Sequence, residues 1–273
     1  MTVRSSTGPA PCGPRRSVRK RVGRRSSCRC RLKGSNVFYY DWTMVLILPG
    51  LIFSIWAQWK VKSTYSKYSR VGTRSGLSGA QVAARILRDA NIGLTGNTAG
   101  SRGHAVGLEA IGGHLTDHYD PRDRTLRLSE EVYHGQSVAS LGIAAHEVGH
   151  AIQHSTAYSM LLWRNAIYPV TNIASTLSWP LLFIGLFMHF PMLLNIGILL
   201  FAFAVVFTLI TLPVEFDASR RAIRALASGG YLTDDELYGA KKVLSAAAWT
   251  YVAAAAVAIL ELVRLLLIAR GRD

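Results

Sequence analysis

Cysteine is missing from most of this sequence. All three cysteines (Cys12, Cys28 and Cys30) lie within the first 36 residues, so residues 37–273 contain none. This absence excludes disulfide bonds and thiolate metal ligands from the larger part of the chain. Any metal ion bound there must be held by nitrogen and oxygen atoms of His, Asp and Glu.

Charged residues are missing from a second region. Residues 165–214 contain no Asp, Glu, Lys or Arg. A soluble domain does not contain such a run, because exposed positions recur along each of its helices and strands. A helix crosses a bilayer with roughly 20 apolar residues. The run therefore predicts a transmembrane hairpin over residues 165–213, with a turn near residues 189–191.

Acidic residues are missing from residues 1–36, which contribute nine Arg and two Lys to a chain with a net charge of +15. A polybasic arm of this kind can bind nucleic acid or anionic lipid. The arm has no aromatic residue that could stack on a base, which argues against nucleic acid. We interpret residues 1–36 as a basic leader that is disordered or lies upstream of the native start, and we expect no nucleic-acid partner.

Two further hydrophobic segments predict membrane spans. The first covers residues 37–62, with aromatic residues at both ends, where amphipathic rings favour the membrane interface. The last covers residues 243–273 and contains Glu261 and Arg264, whose spacing of three allows them to neutralise each other on a helix. The polar segment 214–242 predicts two helices, the second of which begins with a capping box of Thr233 and Glu236.

Residues 63–164 predict a soluble portion with both helices and strands. Ser78 is a good N-cap for a helix with apolar residues at helical spacing. Residues 114–120 and 124–129 predict a strand pair joined by a turn, and residues 136–155 predict a helix. The sequence as a whole indicates a mainly α, polytopic membrane protein with about four transmembrane helices and a zincin-like α+β catalytic portion.

The helix predicted over residues 136–155 contains the motif His-Glu-Val-Gly-His at 146–150. Residues four apart lie on the same face of a helix, so His146 and His150 can bind one Zn²⁺ ion at about 2.0–2.1 Å. Glu147 can then remove a proton from water that the zinc has acidified. A random chain of this composition contains about 0.006 such motifs, so coincidence is a poor explanation.

Two histidines leave the zinc one protein ligand short. Thr156 occupies the position of the third metzincin ligand, His154 is rotated by about 80° from His146, and the Asp-Gly pair of site-2 intramembrane proteases does not occur. Glu215 and Asp217 remain. Two spans separate them from the motif, which returns the chain to the same side of the membrane. A carboxylate at the start of a new helix could instead serve only as its cap.

Several stretches resemble the YugP-type neutral zinc metallopeptidases of bacterial membranes and, more distantly, the HtpX class of membrane gluzincins. The resemblance extends over residues 37–269 and is carried by the motif helix, Leu-Thr-Asp-His-Tyr-Asp-Pro at 115–121, Leu-Pro-Val-Glu-Phe at 212–216, and residues 38–41, 50–54, 128–130 and 133–135. In gluzincins the third ligand is a Glu on a helix that follows two spans. The resemblance therefore implies Glu215, rather than Asp217, as the third zinc ligand.

The chain departs from the gluzincin pattern at one position. An Asp normally follows the third ligand by four residues and orients a ligating histidine, but this chain has Ser219 there. A hydroxyl group cannot supply the same charge, so we consider Asp217 and Asp117 as replacements.

The activity implied is hydrolysis of a peptide bond, with Glu147 as general base and then as proton donor. The substrate is expected to be a peptide or protein, membrane proteins included, and the lipid bilayer is the other expected partner. A second donor should stabilise the oxyanion, and four side chains are candidates: His118, Tyr119, His134 and Arg220. A non-catalytic membrane scaffold with a structural zinc site is the main alternative, and a zinc hydrolase acting on other bonds is a third.

Positively charged residues flank the spans unequally. Eleven Lys and Arg residues lie near the spans on the side of the motif, whereas only Arg270 and Arg272 lie on the other side of residues 37–273. Cytoplasmic loops carry the excess of Lys and Arg. The count predicts a multi-pass protein of the bacterial cell membrane whose active site faces the cytoplasm, although a native basic leader would oppose this orientation.

Overall fold

The computed structural model describes residues 42–95 and 105–271. The basic leader predicted over residues 1–36 lies outside the described residues. A short 3-10 helix, Trp42–Leu46, precedes the first α-helix. The α-helices are α1 Leu48–Tyr68, α2 Gly79–Asp89, α3 Glu130–Tyr133, α4 Val138–Ser155, α5 Ser159–Phe187, α6 Pro191–Ser228 and α7 Asp234–Arg270, and the strands are β1 Gly93–Leu94, β2 Ala105–Ile111, β3 His118–Asp120 and β4 Thr125–Ser129.

Four stretches of helix are long and apolar enough to cross a membrane: Thr43–Tyr68, Ser159–Phe187, Pro191–Ser228 and Asp234–Arg270. Large apolar side chains on these helices point outward, and Ile55 and Phe187 are 70% and 74% exposed. Such surfaces are stable in contact with lipid chains rather than water. The prediction of a mainly α, polytopic membrane protein with a small α+β portion is confirmed.

The polar segment 214–242 does not form separate helices. Instead, α6 continues through Pro213 to Ser228, and α7 runs without a break from Asp234 to Arg270. Proline removes only one backbone donor, and in a membrane helix neighbouring groups compensate for that loss. The predicted helix end near Gly229 and the predicted start at Thr233 are both correct, and the Glu236 carboxylate accepts a hydrogen bond from Thr233 N at 2.8 Å.

The first membrane helix extends beyond its predicted end at residue 62. It continues to Tyr68 and carries Lys60, Lys62 and Lys67 on its final turns. Pro49 lies in the first turn of α1, where its missing N–H would have no partner in any case. Helix α1 therefore begins next to Pro49 rather than running through it.

The soluble portion contains a four-stranded sheet in the order β1-β2-β4-β3. Strand β2 is parallel to β4, and β3 is antiparallel to β4 with His118 opposite Arg127. The predicted strand pair is thus confirmed, although its first strand begins at His118 rather than at residue 114. The turn between β3 and β4 is held by Asp123, whose carboxylate accepts a hydrogen bond from Thr125 N at 3.1 Å.

Helix α4 is the central element of the soluble core. Ser137 caps its N-terminus by accepting a hydrogen bond from Ser140 N at 3.1 Å. Leu141 and Val148 on α4 are fully buried in one cluster with Leu126 of β4 and Leu226 of α6. A fully buried Leu or Val side chain stabilises the fold by about 1.5–3 kcal/mol. The core therefore fixes α4 against both the sheet and the end of a membrane helix.

The backbones of α4 and α6 approach each other closely at Gly149. A Cβ atom at this position would lie 2.5 Å from the carbonyl oxygen of Ala218, which is closer than any real contact. The two backbones therefore meet where only glycine fits. At Gly142, about two turns earlier on α4, a Cβ atom would lie at an ordinary 3.4 Å from the Ala240 side chain. The contact at Gly149 brings the motif residues of α4 next to Glu215 of α6.

Candidate metal centre

The side chains of His146, His150 and Glu215 meet between α4 and α6. Their ligand atoms all lie within 4.8 Å of one another. Oε2 of Glu215 is 3.3 Å from Nε2 of His146 and 3.6 Å from Nε2 of His150. The two imidazole rings are nearly perpendicular, at 84°, with centroids 4.9 Å apart. The structure thus brings together the three side chains that were expected to share a zinc ion.

These three residues fit a divalent cation. Oε2 of Glu215 is buried and has no hydrogen-bond partner, and a buried carboxylate oxygen without a partner is costly. Burial lowers the pKa of His150, but the Glu215 and Glu147 carboxylates outweigh it and the pKa is raised. The cluster therefore attracts positive charge. Two imidazoles and one carboxylate with an open fourth position form the donor set of a catalytic zinc site.

Glu147 lies beside this cluster without belonging to it. Its side chain is largely buried and lines a cleft of about 210 Å³ together with His146 and Glu215. The cleft is where a fourth ligand would approach the cation. Glu147 is therefore placed to exchange a proton with a molecule in the cleft.

Gln153 orients His150, and the sequence analysis did not identify it. Its side-chain Nε2 donates to the Val214 carbonyl and to Asp217 Oδ2, both at 2.9 Å. Its Oε1 must then face Nδ1 of His150, which lies 3.0 Å away. Since an amide oxygen only accepts, His150 carries its proton on Nδ1 and presents Nε2 to the cation. The spacing of three residues from His150 on one helix face was the signal that could have revealed this role.

Ser219 orients the other histidine. Its hydroxyl lies 3.1 Å from Nδ1 of His146, so it can accept that proton while Nε2 faces the cation. Ser219 thus takes the position of the expected Asp and contacts the histidine with a neutral hydroxyl group instead of a carboxylate.

The two acidic residues considered as replacements act elsewhere. Asp217 accepts hydrogen bonds from Gln153 and, at 2.6 Å, from Nε of Arg221. It therefore reaches His150 only through Gln153 and is not part of the three-residue cluster. Asp117 accepts a hydrogen bond from Ser129 N at 2.7 Å and holds the end of β4.

His154 points away from the cluster towards the sheet. The Tyr119 hydroxyl lies 2.8 Å from its Nδ1. Burial raises the pKa of Tyr119 to about 12, so the hydroxyl that contacts His154 keeps its proton. This contact explains why His154 is a poor third ligand.

The four side chains considered as oxyanion donors lie outside the cleft, as far as the described residues show. Tyr119 binds His154, His118 contacts the Thr116 carbonyl at 2.8 Å, and His134 packs edge-to-face against Tyr133. Arg220 lines a neighbouring groove. Tyr251 of α7 lines the cleft instead, next to the carboxylates of Glu215 and Glu147. It sits in the uncharged stretch 243–260 of α7, where the sequence contains no signal for such a role.

The cleft continues in two directions. Ser219, Leu244 and Ala248 also line a groove of about 500 Å³ between α6 and α7. Tyr65 also lines a second cleft, of about 730 Å³, beside α1 and α3. There Glu131 accepts hydrogen bonds from the Tyr65 hydroxyl and from His114, and these contacts lower the pKa of its carboxyl group. The cleft beside the cluster therefore borders two larger cavities.

Comparison with known proteins gives two matches of wide coverage. Residues 43–270 match a family model described as "Putative neutral zinc metallopeptidase". The chain is 49% identical over 230 residues to a protein of Bacillus subtilis (strain 168) named "Putative membrane protease YugP". That alignment covers 84% of this chain and 97% of the Bacillus protein. No solved structure matches the chain.

Proposed function

We propose, because the chain belongs to the neutral zinc metallopeptidase family, that it is a membrane-embedded endopeptidase of the gluzincin type. The observation that carries this proposal is the meeting of His146, His150 and Glu215 in a cleft that also contains Glu147. The relative in Bacillus subtilis is named as a membrane protease, and the four apolar helices support a membrane location.

The residues of the cluster have distinct tasks in this proposal. His146, His150 and Glu215 would hold the zinc ion, which supplies Lewis acidity towards water and the scissile carbonyl. Glu147 accepts a proton from the attacking water on a carboxylate oxygen and delivers it to the amide nitrogen of the leaving group. Gln153 and Ser219 keep both imidazoles in the tautomer whose Nε2 faces the ion.

Two features favour catalysis over a structural zinc site. A structural site normally closes with four protein ligands, whereas the cluster among the described residues contains three. The two larger cavities that border the cleft further favour an endopeptidase, because an exopeptidase would need one side to be closed. The expected substrate is a peptide or protein. Membrane proteins are included, because the cleft lies where α6 and α7 change from apolar to polar sequence, which is the position of the membrane surface.

The test of this function is digestion of casein and of a peptide library by the detergent-purified protein. We expect internal peptide bonds to be cleaved, the activity to disappear on treatment with a zinc chelator, and zinc to restore it. A preparation that contains stoichiometric zinc and cleaves neither substrate would contradict the proposal. Cleavage that survives complete zinc removal would do so as well.

Tyr251 is the side chain that we assign to oxyanion stabilisation. Tyr65 and Tyr251 both line the cleft that contains Glu147 and Glu215, but the Tyr65 hydroxyl already donates its proton to Glu131. A phenol hydroxyl can donate to the oxygen that becomes negative as the carbonyl is attacked. The helix α7 that carries it packs against α4 and α6, so the position of the hydroxyl is rigid.

Removal of this hydroxyl should slow the reaction more than it weakens binding. We expect Tyr251→Phe to lower kcat by about 100-fold, since one lost oxyanion donor typically costs that much, with KM and zinc content nearly unchanged. Tyr238→Phe is the matched control, because Tyr238 lies on the same helix, is 59% exposed and does not line the cleft. Equal kcat values for Tyr251→Phe and the wild type would remove Tyr251 from the mechanism.

The active site is proposed to face the cytoplasm. The supporting observation is the excess of positive residues at the helix ends on the side of the cluster: Lys60, Lys62, Lys67, Arg70, Arg74, Arg164, Arg220, Arg221, Arg224, Lys241 and Lys242. A single cysteine at position 88 of α2 (Arg88→Cys), in a chain whose native cysteines are replaced by serine, tests this orientation. It should react with a membrane-impermeant maleimide only after the cells are lysed.

A further inference from the structure

A groove between α6 and α7 has a charged end and an apolar end. Arg220, Arg224 and Lys241 line one end, and Phe216 and Trp249 line the other. All five side chains are exposed. The helices rise about 1.5 Å per residue, so the distance along α6 from Phe216 to Arg224 is about 12 Å. The groove therefore has the length of a short extended peptide segment.

The three positive side chains of this groove have no salt-bridge partner among the described residues. The residues lining the groove include no Asp or Glu. Among the described residues, no carboxylate forms a salt bridge with Arg220, Arg224 or Lys241, and the nearby Asp217 is engaged by Arg221. Three cations around one concave surface, none of them in a salt bridge, attract a ligand that carries negative charge.

The groove opens directly into the metal cleft. The two cavities share Ser219, Leu244 and Ala248, and Ser219 contacts the ring of His146. A ligand lying in the groove is therefore continuous with whatever occupies the cleft. This continuity favours a substrate chain over a lipid, which would need no access to the metal.

We propose, on the premise that the chain is a peptidase, that this groove is a substrate subsite for an acidic segment with apolar neighbours. Arg220, Arg224 and Lys241 bind Asp or Glu side chains of the substrate, and Phe216 and Trp249 contact its apolar residues. An extended chain advances about 3.3 Å per residue, so the acidic residues lie roughly two to four residues from the scissile bond. The subsite makes acidic, partly apolar polypeptides the preferred substrates.

Binding to a variant that cannot turn over substrate tests the subsite separately from catalysis. We would use two pools of fluorescein-labelled peptides composed of Ala, Leu, Val and Ser, one pool with two Glu residues and the other with two Gln residues. Zinc-loaded Glu147→Gln protein should bind the Glu pool about tenfold more tightly. Adding Arg220→Gln, Arg224→Gln and Lys241→Gln together should abolish this preference and leave the affinity for the Gln pool unchanged.

A matched control removes the same charge elsewhere. Arg85 and Arg88 lie on α2, and Lys242 is next to Lys241 but does not line the groove. The triple variant Arg85→Gln, Arg88→Gln and Lys242→Gln should keep the preference for the Glu pool. If it loses the preference to the same extent, only net charge matters and the subsite is refuted.

The outcomes also separate this inference from the proposed function. If the wild-type protein cleaves both pools equally well and binds them equally, the function stands and the subsite is refuted. If the Glu pool binds preferentially through the three cations and nothing is cleaved, the binding groove stands and the peptidase function fails. If instead the groove variant binds both pools like the parent but loses binding to phosphatidylglycerol vesicles, the groove holds lipid and the inference is wrong.

Discussion

The change Glu147→Gln is expected to lower kcat by about 10²–10⁴-fold, the usual contribution of a general acid–base group. Glutamine has the same shape but cannot accept a proton. Glu147 is not one of the three clustered ligand residues, so zinc content should stay at the wild-type level. Digestion of casein, with metal analysis of the same preparation, measures both quantities.

The control for this variant is Glu109→Gln on β2. Glu109 is a surface residue paired with Arg127, and its replacement should change neither kcat nor zinc content. The outcome also decides between an enzyme and a scaffold. In a scaffold with a structural zinc ion Glu147 has no chemical task, so a variant that matches the wild type in every assay would exclude the catalytic mechanism.

The parts of the site that could be predicted from the sequence are those fixed by local geometry. The spacing of four residues in a helix places His146 and His150 on one face. The number of spans between the motif and Glu215 places both on one side of the membrane. Neither argument needs the packing of the helices, and the structure brings the three side chains together. Their roles as zinc ligands stay predictions until a metal is measured.

Gln153 and Tyr251 were missed because their roles depend mainly on packing between distant segments. Gln153 acts through groups on α6 that are more than 60 residues away in the chain. Tyr251 reaches the cleft only because α7 packs beside α4 and α6. The continuous helix through Pro213 was missed for a related reason. A change from apolar to charged sequence marks where a helix leaves the membrane, and it does not require that the helix ends there.

The change Glu215→Ala is expected to remove zinc from the protein. Loss of an outer-shell partner already lowers metal affinity by 10–100-fold, so loss of a direct ligand should lower it by more than about 100-fold. A zinc ion that binds only the folded protein also stabilises it. The stabilisation grows with the logarithm of the ratio of the free zinc concentration to the dissociation constant. The wild-type Tm should therefore rise when zinc is added to the chelated protein, whereas the Tm of Glu215→Ala should not change.

The variant Asp217→Asn tests whether Asp217, rather than Glu215, is the acidic zinc ligand that follows the hairpin. An Asn oxygen can still accept the hydrogen bond from Gln153, so this variant should keep its zinc or bind it at most about tenfold more weakly. Metal analysis of both variants, dialysed against one buffered zinc concentration, makes the comparison direct. A Glu215→Ala protein with full zinc content would show that another group completes the site. If Asp217→Asn instead lost as much zinc as Glu215→Ala, the metal would depend on the Gln153–Asp217 contact as strongly as on the buried carboxylate, and Glu215 could not be distinguished as a direct ligand.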